Sequence, residues 1–116
     1  MEIYHNPRCQ KSRQTLKILQ ESKTDFEIRK YLDDPPSKDE LQQVLAKLDI
    51  KPMALIRQNE DLFKKEYKGK VLNDEEWIDV MVKHPRLIER PIVIHGDRAV
   101  IGRPPENVRA LLVEED

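Results

Sequence analysis

A single thiol, Cys9, is present among 116 residues. With no second cysteine, an internal disulfide cannot form and a cysteine-rich zinc site cannot be built. Charge of one sign is not in excess either. The 21 basic and 22 acidic residues leave a net charge of −1, where a nucleic-acid binder normally shows a basic surplus. Nucleic acid is therefore not an expected partner. No apolar run approaches the roughly 20 residues needed to cross a bilayer. The start, Glu2-Ile3-Tyr4, has no basic segment followed by an apolar stretch, so neither membrane association nor a signal peptide is expected. His84 and His95 have no partners at metal-ligand spacing and read as surface or rim residues, so no metal is expected. Repeats and low-complexity stretches are missing as well. The composition describes a soluble protein of the reducing cytoplasm. Its 38% hydrophobic content supports one core, hence one domain over residues 1–116.

The most informative segment surrounds the lone thiol. Ile3-Tyr4-His5 reads as the end of a strand, Asn6-Pro7-Arg8 as a turn, and Cys9-Gln10-Lys11-Ser12-Arg13-Gln14-Thr15-Leu16 as the start of a helix. The first backbone N–H groups of a helix have no partner inside it, so they stabilise an anion and depress the pKa of a cysteine placed there. His5, Arg8, Lys11 and Arg13 add positive or polarisable groups close by. Ser12 stands where a Cys-x-x-Cys pair would have its second sulfur, and its simplest role is capping the first turn. Any disulfide at Cys9 must therefore be mixed, with a thiol from another molecule.

The remaining pattern is α/β. Glu2–His5 reads as a first strand, Gln10–Glu21 as a helix with Leu16, Ile18 and Leu19 near one face, and Asp25–Tyr31 as a half-buried second strand of period two. Together they form a βαβ unit with a parallel pair. Ser37-Lys38-Asp39-Glu40 is a capping box for a helix carrying Leu41, Val44, Leu45 and Leu48, and Pro52 closes that segment. Asn59 caps a short helix with Leu62 and Phe63. Asn73-Asp74-Glu75-Glu76 starts another, with Trp77, Met81 and His84 on one stripe; Trp77 and Met81 read as core. Pro91–His95 and Ala99–Ile101 flank Gly96-Asp97 as a hairpin. Arg103-Pro104-Pro105-Glu106 opens a last helix with Val108, Leu111 and Leu112, and Glu114-Glu115-Asp116 is expected to fray. The order βαβα, helical insert at about 37–84, then ββα is the thioredoxin-like layout with a mixed four-stranded sheet. In that fold the proline opening the third strand, Pro91, faces the active-site cysteine and follows a cis peptide bond.

Five segments carry a family resemblance: Ile3-Tyr4-His5-Asn6-Pro7-Arg8-Cys9 with Ser12-Arg13, Tyr31-Leu32 with Pro35-Pro36, Ala54-Leu55-Ile56-Arg57, Arg90-Pro91-Ile92-Val93, and Arg103-Pro104. In this order the chain resembles the glutaredoxin-coupled arsenate reductase family, the ArsC/Spx/YffB group. The resemblance implies an arsenate reductase with Cys9 as catalytic nucleophile and Arg57, Arg90 and Arg103 as ligands of the oxyanion. His5, Asn6, Ser12, Arg13 and Pro91 support the site. Arsenate or another small oxyanion is the implied substrate, glutathione the co-substrate and glutaredoxin the protein partner, with no tightly bound cofactor. In such a cycle the thiolate forms a covalent arsenic–sulfur adduct before arsenite leaves. Arg8 stands where several members carry a small residue; it either adds an anion contact or narrows the entrance.

Arginine suits these roles because a tetrahedral oxyanion takes planar, permanently charged forks. Two other functions fit less of the sequence. A transcription-regulating protein of the Spx kind, docking on RNA polymerase, often uses a Cys-x-x-Cys switch, which Ser12 removes. A monothiol oxidoreductase acting on glutathione conjugates would use the same arginines for carboxylates, which they accept as readily.

Overall fold

Strand β1 (Glu2–Tyr4), helix α1 (Gln10–Glu21) and strand β2 (Glu27–Arg29) form the expected βαβ unit in the computed structural model, with β1 and β2 parallel. Residues 1–112 are described; the acidic end Glu114-Glu115-Asp116 lies outside the described residues. Two compact units make up the chain, one taking in Met1–Asp34 and the chain from Arg90 onward, the other Pro35–Glu89.

In the first unit, β3 (Ile92–His95) and β4 (Arg98–Ile101) are an antiparallel hairpin, and β3 runs antiparallel to β1. The resulting order is β2-β1-β3-β4, the mixed thioredoxin-like sheet. Gly96 turns the hairpin at φ 60, a conformation that side chains resist. Ser12, Thr15 and Leu19 recur at helical spacing and form the buried face of α1. Ile3, Leu19, Val93, Val108 and Leu111 form the core of this unit. Truncating a fully buried leucine such as Leu19 to alanine costs about 2–5 kcal/mol.

Three elements here differ from the sequence reading. The second strand keeps only Glu27–Arg29 of the expected Asp25–Tyr31. It lies at the sheet edge, so Ile28 is 48% exposed and the strand is not half-buried. The chain turns away at Lys30, whose carbonyl accepts the N–H groups of Asp33 and Asp34, while Tyr31 drops into the interior. The first strand ends at Tyr4, although the His5 N–H still bonds the Arg29 carbonyl at 2.8 Å. After β4 the chain makes a 3-10 turn over Pro105–Val108 before the short α6 (Arg109–Leu112). The expected helix therefore starts later than Arg103, which precedes a second cis proline, Pro104.

The second unit holds α2 (Lys38–Leu48), α3 (Pro52–Leu55), α4 (Asp61–Glu66) and α5 (Asp74–Lys83), followed by a 3-10 turn over Pro85–Leu87. It is wider than the insert expected at 37–84. The capping box expected at Ser37 forms, with Ser37 Oγ accepting the Glu40 N–H at 3.2 Å, and the helix start expected at Asn73 is closed by a capping box too, with Asn73 Oδ1 accepting the Glu76 N–H at 2.8 Å. Such a cap is worth about 1 kcal/mol. Pro52 opens α3 instead of closing the previous segment, since a first-turn proline has no N–H to lose. Asn59 caps nothing, because α4 begins after Glu60, whose carboxylate is drawn to Arg57 and Arg86. Trp77 and Met81 are buried, as core residues should be. His84 falls past the end of α5 and packs edge-on to Tyr67 at 5.9 Å.

Candidate active site

Cys9 is the N-cap residue of α1, with extended backbone (φ −95, ψ 122), and is 8% exposed. The loop before it is pinned by its own polar groups. Asn6 Oδ1 accepts the Arg8 N–H at 3.0 Å, and the Asn6 carbonyl accepts the Cys9 N–H at 3.0 Å. Arg13 reaches back from the helix to donate to the Pro7 carbonyl at 2.9 Å. The Cys9 side chain makes no capping hydrogen bond by strict geometry. The Ser12 N–H nevertheless lies close enough to favour negative charge on sulfur.

Ser12 does not cap the first turn. Its hydroxyl accepts the Asn6 N–H at 3.0 Å and bonds His5 Nδ1 at 2.6 Å, so it ties the end of β1 to α1 inside the unit. All three residues are buried. Burial, assisted by the charges of Lys30 and Arg13, lowers the His5 pKa below its ordinary value. A neutral imidazole leaves Nδ1 free to accept the serine O–H, with the proton on Nε2.

Arg90 and Arg103 come to the sulfur from the far end of the sequence. Arg103 Nη2 lies 3.5 Å from Cys9 Sγ, and Arg103 Nε donates to the Arg90 carbonyl at 2.7 Å. The Arg90–Pro91 bond is cis, as the fold predicted, and Pro91 is buried. Burial pushes the Cys9 pKa up, but the Ser12 N–H, the hydrogen bond and charge of Arg90, and the charge of Arg103 together bring it below the usual thiol value. Arg90 is itself half-buried. Its desolvation is outweighed by Cys9 and Tyr31, so its pKa is raised.

Two contributors escaped the sequence reading. Tyr31 is fully buried, stacks on Tyr4 at 6.3 Å and helps to raise the Arg90 pKa; the signal available was an aromatic residue at the end of an alternating run, which reads as strand core. Gly102 donates its N–H to the Pro91 carbonyl at 2.9 Å. A Cβ on it would lie 2.5 Å from Thr15 Oγ1 and 2.8 Å from Pro91 Cγ, so only glycine fits between α1 and Pro91. Arg57 belongs to the second unit. There its guanidinium is bound by Glu60 at 3.2 Å and Glu89 at 3.0 Å, with all three side chains mostly buried.

The fold and this sulfur centre define a thioredoxin-like α/β protein with one activated cysteine at the start of its first helix. The ArsC family model matches residues 4–111, and the chain belongs to that family. The arsenate reductase of Neisseria meningitidis is 39% identical over 114 residues, 97% of each chain. That of Haemophilus influenzae is 42% identical over 112 residues, covering 95% of this chain and 97% of the relative. Among solved structures, arsenate reductase from Vibrio cholerae superimposes with a TM-score of 0.90 at 40% identity, covering 95% of this chain and 97% of that one. Among the described residues no helix is long and apolar enough to cross a membrane.

Proposed function

We propose that the protein reduces arsenate to arsenite, with Cys9 as the nucleophile and Arg90 and Arg103 as oxyanion ligands. The observation that carries this reading is the pair of guanidinium groups on one sulfur, with Arg103 Nη2 at 3.5 Å and Arg90 hydrogen-bonded to the same atom. Two fixed positive charges hold the thiol ionised and present forks to a tetrahedral anion. The thiolate displaces one arsenate oxygen, which leaves as water after protonation, and an S–As(V) bond forms. With no second sulfur in the chain, two external thiols complete the cycle. Glutathione then displaces a second oxygen from arsenic, which leaves as water, and glutaredoxin takes the glutathionyl sulfur as a mixed disulfide. The electron pair of the broken As–S bond stays on arsenic, now As(III), and water releases arsenite from Cys9. Overall, arsenate and two thiols yield arsenite, one disulfide and water. A free nucleophilic thiol of this kind suits the reducing cytoplasm, and no tightly bound cofactor enters the scheme.

The family resemblance extends the anion-binding role to Arg57. Because Glu60 and Glu89 already engage it, its contribution is read separately, as the change in arsenate KM on Arg57→Ala. The principal test follows arsenate-dependent glutathione oxidation with glutaredoxin present. Activity should vanish in Cys9→Ser and fall at least tenfold in Arg90→Ala, the loss expected when about 1.4 kcal/mol or more of transition-state stabilisation is removed. Folded protein that shows no arsenate turnover with any glutaredoxin defeats the proposal. Reduction of glutathione mixed disulfides in its place would make the chain a monothiol oxidoreductase.

A further inference from the structure

Resting on the reading of Cys9 as a nucleophile that an external thiol must release, we infer that Arg8 selects that thiol, its guanidinium taking a carboxylate of the incoming molecule. The loop fixes Arg8 next to the sulfur. Its N–H is held by Asn6 Oδ1 and the Cys9 N–H by the Asn6 carbonyl, both at 3.0 Å. Cys9 is buried, whereas Pro7, Arg8, Gln10, Lys11 and Arg103 around it are exposed. A thiol arriving from solvent therefore meets a cationic rim. No acidic residue stands between Ile3 and Gln20, so no carboxylate from the same stretch neutralises it.

The other cations at this rim are already in use. Arg13 donates to the Pro7 carbonyl at 2.9 Å, and Arg103 spans Cys9 Sγ at 3.5 Å and the Arg90 carbonyl at 2.7 Å. Arg8 and Lys11 form no ion pair among the described residues. Of these two, Arg8 adjoins the thiol directly and carries the planar fork that matches both oxygens of a carboxylate, where a lysine ammonium acts as a point charge. An ion pair exposed to water adds little affinity, but it steers an anion and sets the order in which competing thiols react. The matching class is a thiol with a free carboxylate, such as a small peptide thiol. A neutral thiol gains nothing from Arg8.

Methyl methanethiosulfonate converts Cys9 into its methyl disulfide, which carries an uncharged cap. An incoming thiolate attacks the methylthio sulfur, the S–S bond breaks with its electron pair on Cys9, and a mixed methyl disulfide departs. Intact mass follows the loss of the cap. Rates with glutathione and with uncharged mercaptoethanol are compared for the wild type, Arg8→Ala and Lys11→Ala. Arg8→Ala keeps both backbone bonds of the loop. It should slow glutathione about threefold, the effect of one exposed ion pair, and leave mercaptoethanol at the wild-type rate. Added salt should shrink the glutathione difference. Rates in Arg8→Ala that are unchanged, or slowed equally, for both thiols overturn the inference. Equal acceleration of both overturns it too, since Arg8 then only narrows the entrance. A selective loss in Lys11→Ala as large as in Arg8→Ala assigns the effect to the patch and overturns Arg8 as the selecting residue. Wild-type protein without arsenate turnover that keeps the Arg8-dependent preference would sink the proposed activity and leave this inference standing.

Discussion

Replacing Arg103 with alanine removes the guanidinium whose Nη2 lies 3.5 Å from Cys9 Sγ. Two unit charges at that distance interact by about 1 kcal/mol in bulk water and about 5 kcal/mol at an effective dielectric of 20. Arg103 is exposed while the sulfur is buried. Solvent screening places the contribution near the lower limit, about 1–2 kcal/mol. Arg103→Ala should therefore raise the thiol midpoint. Below the midpoint the thiolate fraction falls about tenfold, but a more basic thiolate attacks about threefold faster, so the net rate falls only about threefold. The measured quantity should accordingly be the midpoint from alkylation across pH, with the rate at one pH as a secondary reading. Arg103→Lys is the control: it retains charge near the sulfur but loses the fork, so the midpoint should move less than in the alanine variant while arsenate KM still rises. Added salt should shrink the Arg103→Ala difference, since the interaction is partly solvent-exposed. A midpoint in Arg103→Ala identical to the wild type would refute the electrostatic reasoning. The sign carries over to stability. A thiol whose folded pKa is depressed contributes stability that is fully present above its unfolded pKa and lost as pH falls through the folded value. The Tm advantage of wild type over Cys9→Ser should grow as pH rises through that window, and Arg103→Ala should flatten the growth.

Two other outcomes are expected. His5, buried and facing positive charge, should titrate below the ordinary imidazole value in an NMR pH series; its depressed folded pKa means stability is present above the unfolded pKa and lost as pH falls through the folded one, and a midpoint at or above the ordinary value contradicts the neutral assignment. Gly102→Ala should cost about 1–3 kcal/mol in denaturant unfolding through overpacking against Thr15 and Pro91, with Thr15→Ala in the same chain recovering part of the loss; no loss in the single variant, or no recovery in the double, argues against the collision.

The parts of the fold legible in the sequence were those decided by neighbours in the chain. Ser37 with Glu40 and Asn73 with Glu76 announce their helices because a capping box is closed within four residues. Gly96-Asp97 announces the hairpin for the same reason. The second strand was overread because alternation cannot report how many neighbours a strand has. Asp25–Tyr31 alternates, yet with β1 as its only strand partner among the described residues it keeps three residues and exposes Ile28. Asn59 was overread as a cap because its rival, the attraction of Glu60 to Arg57 and Arg86, depends on tertiary placement.

The candidate site divides along the same line. The loop, the helix start and their effect on Cys9 are local, spanning His5 to Arg13, and the chemistry could be read directly. The arginine at the sulfur is separated from it by 94 positions, so no periodicity reveals it, and only resemblance to a family pointed there. Arg57 shows what such resemblance omits: a guanidinium engaged by two carboxylates has charge and geometry already committed. The balance at Cys9 follows the same logic. Burial alone would make the thiol inert, and no single donor reverses it. The Ser12 N–H, Arg90 and Arg103 act on one atom from three parts of the chain. A buried cysteine at a helix start without the two distant arginines would keep the same local sequence and lose much of the stabilisation that makes it a thiolate.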